Sequence, residues 1–280
     1  MHTECNEERL PFHDHGSREV VAEFNGSRIS SDGGGLLLRE VEQRTHILER
    51  LSRCFIDHRD PDRIEHSLTD LVSQRTLALA LGYEDLNDHD ELRQDGLLGV
   101  LVGKDEPLTG TGEGQPLAGK STLNRLELGP GEGAEAASRY KRIAADAEAI
   151  DELMLALFVE LHGRPTGRIW LDVDATDDPL HGCQEGRFFH GYYGCYCYLP
   201  LYIFCGDHLL CARLRQANAD AAAGTLDELE RIVAALRRAW PEVRIGLRGD
   251  SGFCREAIMA WCEAHGVDYV LGLAKNERLK

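Results

Sequence analysis

The sequence predicts an α+β chain in two parts: a helical front half, then a mixed sheet whose elements run β-β-β-α-β-α-β. Three observations predict it. Apolar residues recur at helical spacing up to Pro165. Beyond Pro165 the period changes to two, with Ile169, Leu171, Val173 and Ala175 on one face and Trp170, Asp172, Asp174 and Thr176 on the other. Two amphipathic helices then alternate with short apolar strands to the end.

The elements follow in order. Residues 1–24 are polar and read as a loose tail. Residues 25–165 read as a mainly helical domain, entered through the Gly-rich turn of "VAEFNGSRISSDGGG". "HSLTDLVSQRTLALALG" opens with a capping box, Ser67 and Asp70, and closes with Gly82 just past its C-terminus. "SQRTLALALGYEDLNDHDELRQD" has the outline of a helix-turn-helix, but its acidity favours plain helical packing. Residues 103–119 read as a Gly/Pro loop, and "KSTLNRLELG" as a short helix. Ile143, Ala147, Ile150, Met154, Leu157 and Leu161 then define a long helix stopped by Gly163 and Pro165. Residues 166–280 form the sheet domain: "RIWLDVDAT", a long strand over 188–205, and "HLLCARLR" after a Gly206-Asp207 turn. "TLDELERIVAALRRAW", with Thr225 and Glu228 as its capping box, precedes the strand "VRIGLRGDS". The helix "REAIMAWCEAHG" and the strand "VDYVLGLA" follow.

Composition narrows the function classes. The chain of 280 residues has no run long and apolar enough for a membrane span, and its start lacks a signal core. Nine cysteines without a C-x-x-C read as reduced thiols of a cytoplasmic protein. The net charge of −17 argues against a default nucleic-acid binder. The charge is uneven, however: residues 166–280 carry 13 Lys+Arg against 16 Asp+Glu, so most of the acidity lies in the front half.

The stretch "LDVDATDDPLHG" puts Asp172, Asp174, Asp177 and Asp178 at the mouth of a strand. A second acid, Asp250, ends the strand 243–249. If those strands are neighbours, Asp174 and Asp250 converge, and converging carboxylates need a hard cation such as Mg²⁺ or Mn²⁺. Two such ions about 3.5–4 Å apart support attack on a phosphodiester. Three other readings stand beside this one. The aspartates can simply cap turns and a helix, as expected for Asp177 and Asp178 next to Pro179. "DVDAT" also fits the D-x-D-x-T of haloacid-dehalogenase-like phosphatases, although a strand meander follows instead of a crossover helix. The dense His181, Cys183, His190, Cys195, Cys197, Cys205, His208 and Cys211 can be a zinc site. Cys195, Cys197 and Cys205 share a strand face with Leu199, Leu201 and Ile203, however, and there cysteine packs as a small hydrophobe.

Several long stretches carry a resemblance: "SSDGGGLLLREVEQRTHILERL", "DHRDPDRIEHSLTDLVSQRTLALALGYEDLNDHDELRQD", "STLNRLE", the segment from "LDVDATDDPLHG" to "LLCARLR", and "LRGDSGFCREAIMAWCEAHGVDYVLGLAKNERL". From about residue 25 to the end the chain resembles bacterial insertion-sequence transposases of the DDE type, of the insertion sequence 1380 group. The resemblance implies a helical N-terminal domain for DNA-end binding or dimer contacts, followed by an incomplete ribonuclease-H-like catalytic core. It implies cleavage and strand transfer at transposon-end DNA, a target DNA, a homodimer and two Mg²⁺ (or Mn²⁺) ions. The family's first acid falls on Asp174 of Asp174-Ala175-Thr176 and its second on Asp250 of "GDS"; Asp172 is a further candidate ligand. Arg187, Arg213, Arg215, Arg248 and Arg255 are candidate phosphate contacts, with ordinary solvated charge as the alternative. The third acid, a Glu on a later helix, has no match, because Glu277 lies in a loop-like "KNERLK". The chain is therefore expected to be the front part of a transposase and inactive alone, the alternative being a non-catalytic DNA-binding or dimerising remnant.

Overall fold

The computed structural model describes residues 9–23, 30–109, 111–129, 141–165 and 167–274. Glu277 lies outside them. The chain divides into two compact units, Met1–Ala147 and Glu148–Lys280.

In the first unit, residues read from their polarity as a loose tail form an antiparallel hairpin, β1 (Leu10–His15) with β2 (Arg18–Ala22). What holds it lies far along the chain. The buried Arg39 of α1 (Gly35–Thr45) donates to the carbonyls of His13 at 2.6 Å and Asp14 at 3.0 Å. Phe12 and Val20 also pack on an apolar cluster that includes Leu36, Leu77, Leu98 and Leu101. Helix α2 (Ile47–Ser52) leads to β3 (Phe55–Asp57). Helix α3 (Leu68–Ala80) begins with the expected capping box and ends before Gly82, whose φ of +96° suits a residue without Cβ. Buried Gln74 of α3 exchanges both amide bonds with Ala118 and approaches the buried His89 ring at 3.0 Å. The helix-turn-helix outline is not realised. After a 3₁₀ turn, α4 (His89–Leu92) is one turn long, with His89 and Leu92 buried, too short to lie along a groove. Helices α5 (Gly96–Val102) and α6 (Lys120–Glu127) follow. Ile143 does not start the next helix. It opens β4 (Ile143–Ala145), which pairs with β3, and α7 (Ala147–His162) begins after it.

The second unit is a five-stranded mixed sheet. Helix α7 packs on it through Leu155 and Phe158 rather than closing the first unit. The strands are β5 (Arg168–Ala175), then a ribbon of β6 (Asp178–Pro179), β7 (Phe188–His190) and β8 (Cys195–Tyr198), then β9 (Leu201–Cys205) and β10 (His208–Arg213). After α8 (Thr225–Ala239) come β11 (Arg244–Gly249), α9 (Glu256–Ala264) and β12 (Asp268–Leu271). The sheet order is β10-β9-β5-β11-β12, antiparallel over the first three strands and parallel over the last three. This is the arrangement of a ribonuclease-H-like core, preceded here by a helical region.

The strand expected over 188–205 is broken twice. Gly191 to Gly194 turn β7 into β8, with Gly194 at φ +71° donating to the His190 carbonyl at 2.8 Å. Pro200, lacking an N–H, separates β8 from β9. Parity survives the break: Leu199, Leu201, Ile203 and Cys205 are all buried. The cysteines nonetheless part company. Cys197 packs with Leu199 and Ala217, with Cys195 alongside, whereas Cys205 and Cys211 belong to the main core.

Alternation makes the sheet two-faced. Ile169, Leu171, Val173, Leu201, Ile203, Ile245 and Leu247 meet α7, α8 and α9 in one cluster. Full burial of such a side chain contributes roughly 1.5–3 kcal/mol. The opposite face carries Trp170, Asp172, Tyr202, Phe204, Arg248 and Val270, none of them in that cluster. At α8 the expected capping box does not form. Gly224 is the N-cap, at φ +75°, and Thr225 lies buried inside the first turn. Glu228 turns inward instead and accepts from Arg213 at 2.5 Å and Arg231 at 2.8 Å, while Arg213 also pairs with buried Asp151 of α7. One guanidinium thus ties β10, α7 and α8 together.

Three predictions follow from this packing. Arg213→Ala strands the buried Asp151 carboxylate and leaves Glu228 with Arg231 alone, and should cost about 3 kcal/mol in denaturant unfolding; a loss below about 1 kcal/mol would contradict the tie. The stability–pH profile should have two windows. Burial holds the His66 and His89 pKa values below the usual range, so the fold keeps them neutral, and stability should fall as pH drops below about 6.5. Burial pushes the Glu228 carboxyl up, but its bonds to Arg213 and Arg231 outweigh that and leave it lowered. Its contribution is present above the unfolded carboxylate range and is lost as pH falls below about 4. Burial also pushes the Cys197 and Cys262 thiols to about 11 and Cys211 to about 12, so mass-resolved thiol labelling at neutral pH should modify exposed Cys183 well before these three. Equal labelling would refute the burial.

Candidate active site at the ends of two parallel strands

Strands β5 and β11 run parallel in unbroken register from Arg168↔Arg244 to Val173↔Gly249. The next position on each is Asp174 and Asp250. Neighbouring strands lie about 4.8 Å apart, and register partners on parallel strands face the same way. The strand pairing expected from the sequence is present, and Asp174 and Asp250 are the positions that next follow the paired residues at the carboxyl ends of these strands. Both are exposed.

Local bonds orient each carboxylate. One oxygen of Asp174 accepts from the Ala175 N–H at 2.9 Å. Asp250 caps a 3₁₀ turn, Ser251–Phe253, its Oδ1 accepting from the Gly252 N–H at 2.8 Å. The remaining oxygens are hard donors on the open face. The backbone here is tight: a Cβ on Gly272, which follows β12, would lie 2.8 Å from the Ser251 nitrogen and 3.0 Å from the Asp250 carbonyl carbon. Among the described residues no group of three or more His, Cys, Asp or Glu side chains is arranged to hold a metal ion. The donor set is thus a carboxylate pair, which in chemistry and exposure suits one hard divalent cation.

Asp172 faces the same side but is engaged elsewhere. It takes both arms of Arg248, Nε to Oδ1 at 2.6 Å and Nη2 to Oδ2 at 2.7 Å. That bidentate bond draws it away from the acid pair. It also removes the nucleophile required by the phosphatase-like reading of "DVDAT", as does the entry of β5 into a ribbon instead of a crossover helix. Asp177 precedes β6, and Asp178 is not a plain turn residue but pairs with Tyr198 in the ribbon.

The five arginines separate into two kinds. Arg213 lies in the carboxylate tie described above. Arg215 donates to the carbonyls of Leu199 at 2.9 Å, Ala221 at 3.1 Å and Ala223 at 2.6 Å, and burial lowers its pKa. Both serve the fold, so ordinary phosphate contact is not available to them. Of the other three, Arg248 and Arg255 are exposed and Arg187 is half-buried. Arg248 holds Asp172, Arg255 donates to Asp220 at 2.9 Å, and the Arg187 guanidinium lies 4.7 Å above the Tyr196 ring.

Sequence reasoning passed over Tyr193. Its hydroxyl lies 3.4 Å from the Ala175 carbonyl, and its pKa is raised by burial and then by the charges of Asp177, Asp174 and Asp250. One phenol therefore feels both acids. The "GYYG" turn was its only signal, and that predicts a bend rather than a neighbour of the acids. A test of convergence follows. Asp174→Asn and Asp250→Asn should each bring the Tyr193 phenol back toward its usual pKa, read at 295 nm against a Tyr193→Phe background. No change in either would place the acids apart.

Comparison with known proteins identifies the family. A profile described as transposase DDE domain group 1 matches residues 12–280. No curated protein matches the chain. Among solved structures, a piggyBac transposase synaptic complex with hairpin DNA is similar over 97% of this chain, at 12% identity and a TM-score of 0.40. A Mos1 transposase paired-end complex with the left transposon end is similar over 89%, at 11% identity and a TM-score of 0.27. The chain spans 54% and 62% of those proteins' lengths. By the family match over nearly its whole length, the chain belongs to the DDE transposases of domain group 1.

Proposed function

We propose that the chain acts in DNA transposition as an insertion-sequence transposase of the insertion sequence 1380 group, with Asp174 and Asp250 as the acids that hold its divalent cation. The observation that carries this reading is the register of β5 and β11, which aligns the two acids at the ends of adjacent parallel strands. Asp174 and Asp250 would hold a Mg²⁺ or Mn²⁺ ion, which would supply Lewis-acid chemistry at the phosphodiester. The chain's own residues do the rest. Asp174 and Asp250 offer fixed carboxylate oxygens, oriented by the Ala175 and Gly252 amides. Arg248, held flat by Asp172, and Arg255, held by Asp220, present guanidinium edges to phosphates flanking the cut. The substrates are transposon-end DNA and a target DNA, and the working assembly is a homodimer, as in the group the sequence resembles.

The test has two arms. On a supercoiled plasmid carrying the element's own ends, this chain alone should not nick, whereas Mg²⁺-dependent nicking by a version that also carries the third acid should fall by at least ~100-fold with Asp174→Asn or Asp250→Asn. End binding in a mobility-shift assay should persist. Mn²⁺ binding by calorimetry should be lost in the same variants. Nicking that survives both substitutions would remove these acids from the chemistry. End binding with no nicking even by the version that carries the third acid would favour the non-catalytic reading.

A further inference from the structure

The ribbon that follows β5 has an outward face built of aromatic rings and one guanidinium. We propose that this face stacks unpaired bases of the DNA strand that runs to Asp174 and Asp250. The inference rests on the DNA-acting reading above and adds a ligand class to it: unpaired nucleobases rather than duplex.

The placement of side chains carries the argument. In the antiparallel pair β7–β8, Phe189 stands opposite Tyr196. Their rings meet edge to face at 5.5 Å, and both look outward, 57% and 49% exposed. Tyr192 in the adjoining turn is 87% exposed. Aromatic residues in a strand ordinarily serve a core, but here the core side is already supplied by Cys195 and Cys197 against Leu199 and Ala217. The outward rings are therefore not needed to hold the ribbon. Contiguous exposed aromatic surface marks an interaction site.

The chemistry of the face selects its occupant. The Arg187 guanidinium lies over Tyr196, 4.7 Å from the ring centre, and is fixed there by bonds to the Gly182 carbonyl and, at 3.4 Å, the Cys183 sulfur. A ring stacked with a guanidinium is a poor seat for an apolar partner, because the charge would be buried without a counter-ion. It is a good seat for a nucleotide. A base stacks on the ring or guanidinium plane while the phosphate takes the guanidinium edge. Bases inside a duplex are already stacked on each other, so the face favours those that are unpaired.

The ribbon is also next to the acids. Only Ala175, Thr176 and Asp177 separate Asp174 from β6, and the Leu180 N–H donates to the Tyr196 carbonyl at 3.0 Å. Six residues of extended chain bound the distance from Asp174 to this point at about 20 Å. Tyr193, in the turn of the same ribbon, already senses both Asp174 and Asp250. A strand whose phosphate lies at the acids passes the aromatic face within a few nucleotides.

The experiment compares a short blunt duplex with the same duplex bearing an oligo-thymidine tail. Binding of each is read by fluorescence anisotropy in Ca²⁺, with 2-aminopurine in the tail reporting stacking. The tail should raise affinity about tenfold and its 2-aminopurine should be quenched. Combined Phe189→Ala and Tyr196→Ala should abolish both effects and leave blunt-duplex affinity unchanged, whereas Phe189→Tyr with Tyr196→Phe should restore them. A tail that gives no advantage, or an advantage that survives the alanine variant, overturns the stacking face and leaves duplex binding and the acid pair intact. Loss of a concentration-dependent dimer in the alanine variant with the tail advantage retained would assign the face to a second copy of the chain instead. Failure of the parent to bind either DNA would sink both the stacking face and the DNA-acting reading.

Discussion

The parallel pairing of β5 with β11 is the contact on which the rest of the second unit depends. Six residue pairs lie in register, from Arg168↔Arg244 to Val173↔Gly249. Burial on one face holds that register. Ile169, Leu171 and Val173 enter the core beside Ile245 and Leu247, so a slip of one residue would turn an apolar set to solvent. A steric key reinforces it: Trp170 pairs with Gly246, and a Cβ on that glycine would come within 2.5 Å of the indole ring. With the register held in this way, Asp174 and Asp250 are the next positions on two adjacent parallel strands. The core residues of one face thus position the carboxylates of the other.

Most of the chain's net charge of −17 lies before residue 166. Residues 166–280 are nearly balanced, with 13 Lys+Arg against 16 Asp+Glu. Arg213 and Arg215 are drawn inside, where they satisfy carboxylates and carbonyls that the strand ends and the loop before α8 would otherwise leave unpaired. Arg248 and Arg255 stay exposed, each held by one carboxylate, while half-buried Arg187 is held by the Gly182 carbonyl, the Cys183 sulfur and the Tyr196 ring. A held guanidinium loses less side-chain freedom on meeting a phosphate than a free one would.

Much of this was legible in the sequence. Period-two alternation in "RIWLDVDAT" and "VRIGLRGDS" announced two half-buried strands, and the acids ended both. Local motifs with a geometric requirement also held, as in the Ser67–Asp70 capping box and the Gly206-Asp207 turn. Features that depend on distant partners did not show. The hairpin at residues 10–22 looks polar and loose until Arg39 binds its carbonyls. Glu228 reads as a capping residue, but Arg213, fifteen residues earlier, takes it. Ile143 fits the helical period of α7, yet pairing with β3 claims it for a strand. The break at Pro200 and the turn at Gly191 to Gly194 were visible as residues; their consequence, a ribbon with its own outward face, was not.

The central claim is that one divalent cation sits between Asp174 and Asp250. Anomalous diffraction from crystals soaked in Mn²⁺ tests it most directly. A single strong peak about 2.0–2.3 Å from an oxygen of each carboxylate, with Asp172 still on Arg248, is the expected result. A peak at Asp172, or no peak between the two acids at saturating Mn²⁺, would contradict it.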